Sequence, residues 1–134
     1  MKREFAAAPG SARMTPQELR SRGDAMVRVE CPRLLARDSA ATGAAAITIT
    51  VDREGSVTRA VVERGTGDDR MDELLGTLAA SLDFDAPRGM AGPTMDARVV
   101  MGYSCSARAS AITFRVMPPE GAESAPLTPP VHDE

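Results

Sequence analysis

Residues Ala46 to Asp52 alternate, with Ile47, Ile49 and Val51 on one side and Thr48, Thr50 and Asp52 on the other. A two-residue period in β-branched side chains is the pattern of a strand buried on one face. Asp52-Arg53-Glu54-Gly55 follows as a turn, where Gly55 can take the left-handed conformation that closes a hairpin. Ser56 to Arg64 then returns with Val57, Val61 and Val62. This hairpin fixes a sheet at the centre of the chain, and the remaining elements must cover it.

The best cover is a helix from Asp68 or Asp69 to about Asp83, where Met71, Leu74, Leu75, Leu78 and Leu82 make one apolar stripe. Gly76 inside it is expected to cost about 1 kcal/mol relative to alanine. A loop over 85–93 leads to a third strand, in which Met95, Ala97, Val99, Met101 and Tyr103 alternate with Asp96, Arg98, Val100 and Gly102. A right-handed crossover places that strand beside the first, in spatial order 2-1-3. Ile112, Phe114 and Val116 form a fourth alternating run, ended by Pro118-Pro119. Upstream, Thr15-Pro16-Gln17-Glu18 reads as a capping box opening a short helix that Gly23 ends near Arg22. A short extended piece over 26–30 and a second short helix from Pro32 to Arg37 complete the expectation.

The fold class is therefore α+β, a two-layer domain. A β-hairpin plus a third antiparallel strand, with a fourth as an option, is packed by one long and one or two short helices. Its expected bounds are residues 26–117. Residues 1–25 read as a disordered or partly helical tail, and 118–134 as a disordered Pro-rich acidic tail. Of the 134 residues, 43% are hydrophobic but only 3% aromatic, so the core must be aliphatic and filled with methionine. So small a core benefits from a staple or an oligomer contact. Cys31 and Cys105 are candidates for one disulfide, and two free thiols are the alternative.

Several function classes lack their expected residues. A net charge of −3 with no basic stripe argues against nucleic-acid binding. No stretch is long and apolar enough for a transmembrane span, and Met1 to Gly10 has no apolar signal-peptide region. The carboxylates Asp68, Asp69, Asp72 and Glu73 fit helix capping better than metal binding. Ser104-Cys105-Ser106 has no histidine in the fold to activate it, since the one histidine, His132, lies in the C-terminal tail. No cofactor, metal or catalytic residue is expected, so an enzyme is not.

Over about 75 residues the chain resembles the C-terminal domain of TonB energy transducers. Cys31-Pro32 stands where that family has Tyr-Pro, Gly43 precedes the first strand, and Val51-Asp52-Arg53-Glu54-Gly55 is followed closely by Val57. Arg64-Gly65-Thr66-Gly67, Met71-Asp72 and Phe84-Asp85-Ala86-Pro87 match the segments around the helix, and Asp96 to Tyr103 matches the closing strand. An aromatic near the end of the long helix, a membrane anchor and a long Pro-rich spacer are absent from the sequence. The resemblance implies a non-catalytic periplasmic module that binds a protein or extended peptide, such as an outer-membrane receptor segment, by strand addition. It implies a receptive edge on the third strand, at Met95, Ala97, Val99, Met101 and Tyr103. The alternative is a structural or homodimerising domain whose edge is covered by its own fourth strand.

Overall fold

The computed structural model describes residues 2–6, 12–37 and 39–117. In chain order the elements are β1 (Arg3–Phe5), α1 (Pro16–Leu35), β2 (Ala40–Asp52), β3 (Val57–Arg64), α2 (Asp69–Ala80), β4 (Thr94–Ser106) and β5 (Ser110–Met117). They build a five-stranded sheet of order β1-β3-β2-β4-β5, antiparallel throughout. The central β3-β2-β4 triplet is the arrangement expected from the hairpin and its crossover.

Register explains the second layer. Ile47 of β2 lies opposite Val62 on one side and Val99 on the other, while Met101 lies opposite Phe114. These residues are buried on one shared face. α1 covers that face over β4 and β5, and α2 covers it over β3 and β2. The opposite face carries Thr48, Thr50, Arg98 and Arg115, which are half-buried or exposed. The hairpin turn is closed as expected, with Gly55 at φ 94°.

The N-terminal third differs from the expectation. Residues 16–35 form one continuous helix, not two short ones with an extended piece between them. The capping box at Thr15 is present, with Glu18 N donating to Thr15 Oγ1 at 3.1 Å and Thr15 N donating to Glu18 Oε1 at 2.9 Å. Its buried stripe is Leu19, Gly23, Val27 and Cys31, four residues apart at every step. Two of these four are not conventional apolar markers, so the helical period is faint in the sequence. Gly23 does not stop the helix but lets it cross β5, because a Cβ there would sit 2.6 Å from Ile112 Cδ1. Pro32 lies in the last turn and removes the amide that would bond the Arg28 carbonyl, and the helix ends three residues later.

Other boundaries shift for similar reasons. β2 starts at Ala40, because the small residues Ala40–Ala45 pair with Met101–Ser106 although they give little hydrophobic signal. α2 ends at Ala80, with Leu82 buried in the turn beyond it. Residues 3–5 and 14–25, expected in a tail, contribute a strand, the buried Met14 and the first half of α1. The expected C-terminal tail, 118–134, lies outside the described residues.

Candidate functional site

Three of the five residues expected on a receptive edge, Val99, Met101 and Tyr103, do not sit on one. Ala97, Val99, Met101 and Tyr103 are buried beneath the helices, and Met95 packs against the same core. β4 is paired with β2 along its length and with β5 from Arg98 to Cys105, where Val99, Met101 and Tyr103 face Val116, Phe114 and Ile112. Main-chain groups of that stretch are already committed on both sides, so the strand expected to be open is an inner one. The short link makes this closure easy. Ser106 N donates to Ala109 O at 2.8 Å, and Ser106 Oγ accepts from Ala109 N at 3.2 Å. Met95 and Ala97 alone lie beyond the last described β4–β5 pair.

The outer edge of the sheet on this side is β5, which has one strand neighbour among the described residues. In an antiparallel ladder successive residues turn their N–H and C=O alternately toward and away from the neighbour. Ile112 N donates to Asp24 Oδ1 at 2.7 Å, which sets the phase: Ile112, Phe114 and Val116 face outward. Arg20 Nη2 donates to the Phe114 carbonyl at 3.3 Å. Thus one acceptor and one donor, four residues apart on α1, occupy the places a neighbouring strand's backbone would take. Charged side chains over an edge are a recognised way to blunt it.

Three contacts hold α1 in that position. Cys31 and Cys105 form a disulfide with a Cα–Cα distance of 5.5 Å, tying the C-terminal half of α1 to the end of β4 across 74 residues of sequence. Close approach at Gly23 sets the helix against β5. Arg33 then grips Asp68 with two parallel bonds, Nη1 to Oδ1 and Nη2 to Oδ2, both 2.8 Å. Asp68 also caps α2, accepting from Met71 N at 2.9 Å. The Arg33 bond is the main reason its carboxyl is held down to about 2, and the Met71 amide adds to it. Burial, with a smaller contribution from Asp68, pushes the Tyr103 hydroxyl upward.

Asp72 accepts from both Thr66 N and Thr66 Oγ1 at 2.7 Å, so it fastens the turn before α2. Among the described residues no cluster of His, Cys, Asp and Glu is arranged to hold a metal ion. Cys105 of the Ser-Cys-Ser segment is in the disulfide, and His132 lies outside the described residues. Among those residues, no helix is long and apolar enough to cross a membrane. Arg20 and Asp24 were not legible as site residues. Their four-residue spacing is visible in the sequence, but nothing there says which strand they meet.

No family model matches the chain, and no curated protein and no solved structure matches it.

Proposed function

We propose that this chain is a non-catalytic protein-binding module that takes an extended partner segment along the outer edge of β5. The mode would be strand addition, as in the TonB C-terminal domain that the sequence resembles, with the receptive strand moved from β4 to β5. One observation carries the reading: of the three outward-facing residues Ile112, Phe114 and Val116, the first two are met by side chains of α1, and none pairs with a second strand among the described residues. Main-chain pairing supplies affinity in such complexes and alternate side chains supply selection. An incoming segment would displace Arg20 and Asp24, each holding a single half-buried bond worth about 1 kcal/mol. The disulfide fits an oxidising compartment, which agrees with a periplasmic location.

A second reading has its own observation. The same two side chains shield the edge, and β4 is already covered, which suits a structural domain or a β5-to-β5 dimer. Titrating the full chain with a labelled extended peptide of the receptor TonB-box type, alongside Arg20→Ala/Asp24→Ala, separates the two. Strand addition predicts saturable binding that tightens about thirtyfold in the double variant, as about 2 kcal/mol of displaced contacts is removed. A chain that dimerises with concentration and ignores the peptide, with or without the guards, belongs to the second reading.

A further inference from the structure

The opposite edge of the sheet is closed by the chain itself, through a contact built like a ligand site. β1 pairs with β3 in the register Arg3↔Val62, Glu4↔Val61 and Phe5↔Ala60. Each side chain of residues 2–5 has a counterpart. Lys2 Nζ lies 2.9 Å from Glu63 Oε1, and this pairing is the main cause that lowers the Glu63 carboxyl. Arg3 Nη1 donates to the Asp69 carbonyl at 3.3 Å and its guanidinium lies 5.2 Å from the Phe5 ring centroid. Glu4 faces Arg59 at 3.9 Å. Phe5 packs on the core beside α2 at Gly76, where a Cβ would collide with the ring. Gly76 thus makes a notch in an otherwise apolar helix stripe, and the notch holds an aromatic ring.

We propose that the groove between β3 and α2 is a docking site for an extended partner segment of the order basic, basic, acidic, aromatic, and that residues 2–6 occupy it as an intramolecular competitor. The recognition elements are Glu63 for the first cation, the Asp69 carbonyl for the second, Arg59 for the acid and the Gly76 notch for the ring. A tethered segment acts at an effective concentration in the millimolar range, so an outside segment binds well only when the tethered one is weakened or drawn away. This site is independent of β5 and stands or falls separately from it.

The test uses the full chain and a fluorescent Lys-Arg-Glu-Phe-Ala peptide followed by anisotropy. Phe5→Ala weakens the tethered segment and should bind the peptide about tenfold more tightly than wild type. Adding Gly76→Val to that variant fills the notch and should abolish the gain. Adding Glu63→Lys in place of Gly76→Val should weaken binding about fivefold without touching the notch. Circular dichroism on each variant confirms that the fold persists. Equal affinity of wild type and Phe5→Ala, or undiminished binding when Gly76→Val is added, would overturn the proposal.

Discussion

The two edges of the sheet are closed by different means. At β3 the cover is a strand, short but anchored by Phe5 on one face and by the Lys2–Glu63 and Glu4–Arg59 pairs on the other. At β5 it is a pair of side chains from a helix, Asp24 and Arg20, each satisfying one main-chain group. A strand cover repeats the backbone pattern of any competitor and must be displaced as a unit. Side-chain guards can swing away one at a time while the helix stays where it is. The β5 edge is accordingly the more readily opened, provided that α1 remains docked.

That condition gives the largest expected effect. Replacing both cysteines, Cys31→Ser with Cys105→Ser, frees a loop spanning 74 residues and should lower stability by about 4 kcal/mol. Chemical denaturation measures the loss. Amide exchange should show β5 loosening before β3, since the bond holds only the helix that guards β5. Equal loosening at both edges would break the contrast.

A smaller effect belongs to the second clamp on α1. Asp68→Asn removes the charged bidentate grip of Arg33 while leaving a residue that can still cap α2, and should cost about 1 kcal/mol, allowing for solvent screening of the pair. The carboxyl of Asp68 is depressed from 3.8 to about 2 in the folded chain. Its contribution is therefore fully present above the unfolded value and is lost as pH falls through the folded one. The stability gap between wild type and Asp68→Asn should narrow on acidification from about pH 5 to about pH 2. A gap independent of pH would mean that the ion pair contributes nothing.

The central sheet was legible because its residues announce themselves. Ile47, Ile49 and Val51 carry a two-residue period that tertiary context had no reason to override, and Asp68 marks the start of α2 by its chemistry alone. α1 was harder to read. Its buried stripe depends on Gly23 and Cys31, whose roles come from a strand 89 residues beyond Gly23 and a partner cysteine 74 residues beyond Cys31. β1 was illegible because three residues in a charged segment have no period to display. The edge assignment failed for a related reason: alternation identifies a strand, but only pairing decides whether it lies inside the sheet. Tyr103 and Met101 look the same in sequence whether β5 covers them or not.

The most direct measurement is residue-resolved amide exchange across β5 in wild type and Asp24→Ala. The account predicts that Ile112 exchanges about tenfold more slowly than the outward-facing Phe114 in wild type, and that Asp24→Ala removes the difference while the β3 amides of Ala60–Val62 are unchanged. An Ile112 amide whose protection is indifferent to Asp24→Ala would show that something other than that carboxylate covers the edge, and the strand-addition site proposed here would be closed.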